Sequence, residues 1–276
     1  MVGRSRRFSP FRIGRLIGRT LSGNIGSLEY YMGDGVVRRD DSGMDGETVL
    51  LIQGFFQTRA VMRTLEDRLR ADGYRVLSFH LGGLLGNFNT RSIASLAQMI
   101  DVKIRRLQER RGFGHLHIIG HSKGGLIARY LVQRAGGHEY VRTVITLGTP
   151  HHGTPVAAIG AGVGLLLVSR SLWQLFPGSG LIRELNEEPF PQGVRLVSVY
   201  STSDIVSPHR FSTLTVANGQ DVRNVVVREL GHMDLVEDPY VYGLILRELR
   251  DRPVDSAGGP MTEFDEEVTI RRRRSR

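Results

Sequence analysis

Residues 115–131, HLHIIGHSKGGLIARYL, pass from a β-branched apolar run to a helical pattern with no loop between them, and Ser122 stands at the change between Gly120 and Gly124. A strand that turns directly into a helix brings the two backbones too close for side chains, which accounts for glycine two residues before and two after the serine. The apex residue is then held in a strained conformation and projects above the carboxyl edge of the sheet. The pattern G-x-S-x-G recurs by chance, so its weight comes from the strand before Gly120 and the helix after Gly124.

The rest of the chain repeats this alternation. ETVLLIQGF, YRVLSFHL, HLHIIGHS, VRTVITLGTP, VRLVSVYS and NVVVREL are short, β-branched, apolar runs read as ended by Gly, Ser or Pro, as buried parallel strands are. Helical patterns over residues 59–73, 92–112 and 123–137 end at glycine after basic residues. The order predicts an α/β architecture, a mostly parallel sheet with helices on both faces, over residues 47–252. Residues 155–190 break the rhythm with the apolar stretch PVAAIGAGVGLLLVSRSLWQLF and are expected to form an inserted cap or lid. A last helix is expected over DPYVYGLILRELRDRP.

A serine hydroxyl becomes nucleophilic when a positioned base takes its proton and an acid orients that base. On this topology the partners follow in the order Ser, acid, His, each beyond a later strand. Asp204 follows VRLVSVYS and His232 follows NVVVREL, so Ser122, Asp204 and His232 are the candidate catalytic set. Asp221 precedes a strand and belongs at the other edge. The candidate oxyanion donors are the backbone N–H groups of Lys123, at a helix N-terminus, and Phe55, after a glycine that permits close approach. Backbone donates there, so the Lys123 side chain is expected to take no part and to reach water or pack along its helix. His121 is expected under the turn, His80 at a strand end, and His151 and His152 at the same edge as Ser122. Gln53, Phe56, His151, Leu166 and Trp173 are the candidate substrate contacts.

GHSKGG after a strand, LIQGFFQT upstream, and LGTPHHGTP, STSDIVSP and LGHMDLVEDP downstream resemble the α/β-hydrolase superfamily, and within it the bacterial triacylglycerol lipases and esterases. The resemblance spans residues 47–250 and implies a serine hydrolase of carboxylic esters, with Ser122, Asp204 and His232 as triad and Phe55 and Lys123 as oxyanion donors. Gln53-Gly54 stands where relatives have His-Gly. Some similar lipases hold calcium beside the histidine loop through an aspartate two residues after the histidine. Asp234 stands there, but no convincing second carboxylate accompanies it, and calcium needs several oxygens; the expectation is no cofactor and no metal, with Asp234 a weak calcium candidate.

The absence of cysteine excludes disulfides, thiolate nucleophiles and cysteine zinc sites. The net charge of +9 resides in the ends: Arg4, Arg6, Arg7, Arg12, Arg15 and Arg19, with Arg271–Arg274 and Arg276, contribute +11, leaving residues 29–270 near −2. A basic nucleic-acid-binding face on the domain is therefore not expected. Residues 1–46 read as a basic leader, partly disordered or amphipathic, and residues 253–276 as a mobile polar and basic tail. Ile13, Leu16, Ile17 and Leu21 oppose Arg12, Arg15 and Arg19 on a helical wheel, a pattern that suits an anionic membrane surface, though Gly14 and Gly18 weaken it. Neither a spanning segment nor a cleavable signal is recognised, so the expected location is cytoplasmic or peripheral to a membrane. The apolar cap favours lipid esters, acylglycerols or phospholipids, as substrate. An acyltransferase, or a binding protein that kept the fold without catalysis, remains open.

Overall fold

The computed structural model describes residues 46–82, 89–155 and 170–251. The basic leader, the polar tail and residues 156–169 of the cap, with Leu166, lie outside the described residues.

Six strands, β1 (Thr48–Ile52), β2 (Arg75–Ser78), β3 (Leu116–His121), β4 (Val141–Leu147), β5 (Arg195–Ser201) and β6 (Val222–Val227), form one parallel sheet in the order β2-β1-β3-β4-β5-β6. Each corresponds to one of the apolar runs. The inner strands β1, β3, β4 and β5 read as nearly continuous hydrophobic segments because both faces are covered, whereas the edge strand β6 is only partly buried over Arg223–Val226. Along β1, Leu50 and Ile52 face one core and Val49 and Leu51 the other.

The first core packs against α2 (Ile93–Arg111) and α3 (Lys123–Arg134), with the cap helices α4 (Arg170–Gln174) and α5 (Gly180–Glu187). The second packs against α1 (Arg63–Ala71), α7 (Asp234–Glu237) and α8 (Pro239–Arg250). A short α6 (His209–Ser212) follows β5, and 3-10 turns occupy Arg59–Met62 and Gly137–Glu139. The ends follow from local chemistry. Ser92 accepts from Ser95 N at the start of α2, Gly112 closes it at φ 66°, and Asp238 caps Tyr240 and Val241 with Pro239 in the first turn of α8.

The chain leaves β1 toward β2 on one side and returns to β3 on the other. The loops after β1 and β3 therefore diverge at the carboxyl edge between adjacent strands, the place where open α/β sheets gather their sites. The described part of the cap sits over this edge: Thr154 N donates to Leu175 O at 2.8 Å, and Ile93 N donates to Gln174 Oε1 at 2.9 Å. Leu172, Leu175, Leu181, Ile182 and Leu185 join the core, whereas Trp173 remains 58% exposed beside Phe176. No helix among the described residues is long and apolar enough to cross a membrane.

Candidate active site

Ser122 joins β3 to α3 at φ 54°, ψ −124°, a conformation that costs a non-glycine residue roughly 1–3 kcal/mol and persists only where its surroundings enforce it. They do: Ser122 N donates to Leu147 O at 2.9 Å, and its carbonyl accepts from Thr149 Oγ1 at 2.9 Å and Gly125 N at 3.1 Å. A Cβ on Gly120 would lie 2.6 Å from Gly125 N, and one on Gly124 would lie 2.1 Å from Ile52 O. The two glycines thus mark separate contacts, strand against helix and helix against the neighbouring strand.

His232 lies beyond β6 and Asp204 beyond β5, and His232 Nδ1 is 2.7 Å from Asp204 Oδ2, both side chains buried. Asp204 Oδ1 accepts from the backbone N–H of Val206 at 2.8 Å and Ser207 at 2.9 Å, which fixes the carboxylate plane. A Cβ on Gly148 would come within 3.0 Å of Asp204 Oδ2 and 3.1 Å of His232 Nδ1, so the chain leaving β4 passes the pair at a residue without a side chain. Asp221, the rival acid, precedes β6 and bonds Arg195 Nε at 2.7 Å.

His121 ties the serine turn to the histidine loop. Its ring lies 4.6 Å from that of His232, Nε2 is 3.1 Å from His232 O, and Nδ1 is 3.0 Å from Gln57 Oε1. Burial, aided by the neighbouring His232, pulls its pKa well below the ordinary imidazole value. A neutral ring has one N–H to share between those two oxygens. Gln57 Oε1 also accepts from Gly54 N at 2.8 Å, and its amide nitrogen donates to Met233 Sδ at 3.3 Å. A Cβ on Gly54 would lie 2.9 Å from Ser122 Cβ, so the loop after β1 passes directly over the serine. Among the described residues neither Phe55 N nor Lys123 N donates to an acceptor.

Several expectations change. The Lys123 side chain does not reach water: it is 0% exposed, and Nζ donates to Asn89 O at 2.7 Å, Asn89 Oδ1 at 3.0 Å and Arg91 O at 2.7 Å. His151, expected among the substrate contacts, is enclosed by its neighbours. It is 0% exposed, with Nε2 3.0 Å from Thr146 Oγ1 and Nδ1 3.4 Å from Arg129 Nη1, and burial lowers its pKa well below the usual value. Gln53 is buried as well, and its carbonyl accepts from Asn89 Nδ2 at 2.8 Å. Phe56 is half-buried at φ 55° on the loop beside Ser122, and Trp173 stands exposed on the cap. His80 Nδ1 accepts from Gly82 N, and His152 bonds the carbonyl of Thr213. Asp234, the weak calcium candidate, accepts at Oδ2 from Gly231 N at 2.8 Å, bracketing His232, and no group of three His, Cys, Asp or Glu that could hold a metal ion occurs among the described residues.

Sequence reasoning missed Asn89 and Gln57, whose amides hold the loop over the serine. Asn89 has φ 45°, a left-handed conformation that asparagine tolerates better than most residues.

The parallel order, the strand-serine-helix turn and the Asp204–His232 pair define an α/β-hydrolase fold, and a family model describing that fold matches residues 47–170. Ser122 falls inside the matched span, and Asp204 and His232 beyond it. Solved structures agree. The mature lipase BlEst2 of Bacillus licheniformis aligns over 79% of this chain and 96% of its own at TM-score 0.60 and 14% identity. Lipase B of Aspergillus fumigatus aligns over 80% of this chain and 57% of its own at TM-score 0.65 and 17% identity. A monoacylglycerol lipase of Paleococcus ferrophilus aligns over 74% and 95% at TM-score 0.55 and 15% identity. The chain is an α/β-hydrolase-fold protein, similar in structure to lipases and esterases.

Proposed function

We propose that this protein is a serine hydrolase of carboxylic esters working through an acyl-serine intermediate. The observation that carries the reading is the buried Asp204–His232 pair, 2.7 Å apart, whose histidine packs against the residue preceding Ser122. An ionised Asp204 only accepts hydrogen bonds, so the proton of His232 sits on Nδ1 and the Nε2 lone pair is left as base. His232 takes the hydroxyl proton as Ser122 Oγ attacks the ester carbonyl. The C–O bond of the leaving alcohol then breaks, and the alcohol departs with that proton. Water, activated by the same imidazole, releases the acid and restores Ser122. The negative charge on the carbonyl oxygen is met by the N–H groups of Lys123 and Phe55.

Lipid esters, acylglycerols or phospholipids, are the substrates we favour. Support comes from Trp173, the only tryptophan of the chain, exposed on an apolar cap, and from the lipases among the similar structures. Two experiments test the two levels. A fluorophosphonate probe is expected to label the wild type and not Ser122→Ala; an unlabelled wild type removes the serine mechanism. Across p-nitrophenyl esters of graded chain length, medium and long chains are expected to be preferred and turnover to rise with anionic liposomes. Preference for the shortest esters, indifferent to liposomes, removes the lipid assignment and leaves the esterase.

A further inference from the structure

The residues flanking the serine each reach, through one amide side chain, opposite ends of the same glycine. On one side His121 meets Gln57 Oε1, which accepts from Gly54 N at 2.8 Å. On the other, Lys123 Nζ donates to both oxygens of Asn89, and Asn89 Nδ2 donates to Gly54 O at 2.9 Å and Gln53 O at 2.8 Å. The Gly54 carbonyl belongs to the same planar peptide as the Phe55 N–H, and in a trans peptide the two bonds point in opposite directions. Fixing Gly54 O therefore fixes the direction in which Phe55 N–H donates.

We infer that the Lys123 side chain is a positioning residue for the oxyanion hole, acting through Asn89 on the Gly54–Phe55 peptide while its own backbone N–H supplies the other donor. The inference rests on the ester-hydrolase reading above for its catalytic meaning and on geometry alone for its mechanical one.

A buried lysine here calls for an explanation. Among the described residues no carboxylate pairs with it, and burial draws its pKa well below the ordinary lysine value, so the site pays in desolvation for what a methionine would fill without charge. What methionine lacks is three donors. Asn89 O, Asn89 Oδ1 and Arg91 O surround Nζ at 2.7–3.0 Å, one for each ammonium proton. Lys123 is the first residue of α3, and helical side chains lean toward the N-terminus, which carries this one back to the loops at the carboxyl edge. Its Nζ also lies 5.8 Å from the centroid of the Phe55 ring, a second hold on the residue it aligns. Asn89 uses every polar atom of its side chain in the relay: Oδ1 toward Lys123 and Nδ2 toward the loop.

The test compares full-length wild type, Lys123→Met, Asn89→Gly and the double variant. Methionine keeps the backbone donor and nearly the volume; glycine tolerates φ 45° while removing the amide. Three quantities are read: amide hydrogen exchange of residues 53–57, kcat and KM per site titrated with a fluorophosphonate, and Tm. In each single variant, exchange of 53–57 is expected to rise roughly ten-fold. The kcat is expected to fall roughly 10- to 100-fold with KM within about two-fold, the signature of a misaligned transition-state donor. Lys123→Met should keep or raise Tm, and the double variant should be no slower than the worse single one, because the two residues act in series. Wild-type exchange together with wild-type kcat per site in Lys123→Met overturns the inference; so does a fall in Tm and labelled fraction with kcat per labelled site unchanged, which marks a packing role. If Lys123→Met does not fold, Asn89→Gly decides by the same readouts. If the wild type takes no label and cleaves no ester, the functional reading fails separately, and exchange of residues 53–57 alone decides whether Lys123 holds the loop.

Discussion

The two ends of the sheet hold their buried cations in opposite ways. At the amino end Arg195, opening β5, is surrounded by acids: Asp221 at 2.7 Å, Asp251 at 3.2 Å and Glu248 at 3.8 Å, with Arg223 joining the same three. At the carboxyl end Lys123 and Arg129 are as deeply buried, yet among the described residues neither meets a carboxylate; their partners are carbonyl and amide oxygens of Asn89, Arg91, Leu185, Asn186 and Gln133 and the ring nitrogen of His151. Burial brings the Arg129 guanidinium down to about 10. A carboxylate beside an oxyanion hole would repel the charge that develops there, whereas neutral dipoles can hold a cation and leave its field intact. On the proposed ester-hydrolase reading, the amino end secures the fold and the carboxyl end is arranged for reaction. Changes at one end should therefore alter stability without rate, and changes at the other rate without stability.

The largest separation is expected from Asp204→Asn. The side chain keeps its size, but it no longer fixes the proton of His232 on Nδ1, and kcat should fall about 10⁴-fold, equivalent to about 5 kcal/mol of barrier. Ester turnover per folded molecule measures it, with Asp221→Asn as the comparison that leaves kcat unchanged. Retention of a tenth of the activity in Asp204→Asn would assign the acid elsewhere. Next is Arg195→Ala, which removes the most buried cation of the cluster and leaves Asp221, Glu248 and Asp251 to Arg223 alone. A broken buried ion pair costs about 3–5 kcal/mol, and the urea midpoint should drop accordingly while kcat per titrated site stays within about two-fold. A variant that kept its stability and lost its rate would erase the distinction between the two ends.

How much of this was legible in the sequence depends on whether a feature is written along one element or between several. The inner strands could be read because a strand covered on both faces must be apolar throughout, and the turn at Ser122 because close backbone contact admits only glycine at Gly120 and Gly124. Asp204 and His232 could be placed because each follows a strand, and the pairing order of the sheet brings the two ends together. The side chain of Lys123 was misread, and the full burial of His151 was not foreseen, for one reason. Lysine and histidine are usually solvated, and nothing periodic announces that three oxygens from a loop 34 residues away replace water around one, or that Thr146 and Arg129 enclose the other. One signal was present for Lys123. Two glycines immediately after it, whose Cβ atoms would strike Ile52 and Thr149, show that this end of α3 is pressed against its neighbours with no room for a solvated stem.

The smallest effect concerns Glu248, the most buried acid of the amino-end cluster. Burial raises the Glu248 carboxyl above its ordinary value, and Arg223 and Arg195 only partly offset this. The native state then releases this proton at higher pH than the unfolded chain does. Below the unfolded value of 4.5 the group is protonated in both states and costs nothing. As pH rises from there, the unfolded chain ionises first, and stability declines until the native group ionises too, after which the difference is constant. Glu248→Gln has no such titration. Urea midpoints of wild type and Glu248→Gln should diverge as pH climbs out of the ordinary glutamate range, the wild type losing ground, by less than Arg195→Ala costs. An opposite slope, with the wild type gaining as pH rises, would show that the two guanidinium groups outweigh burial. The amino end would then be a pairing site in which charge is favoured outright, and the contrast with Lys123, held by dipoles alone, would be sharper.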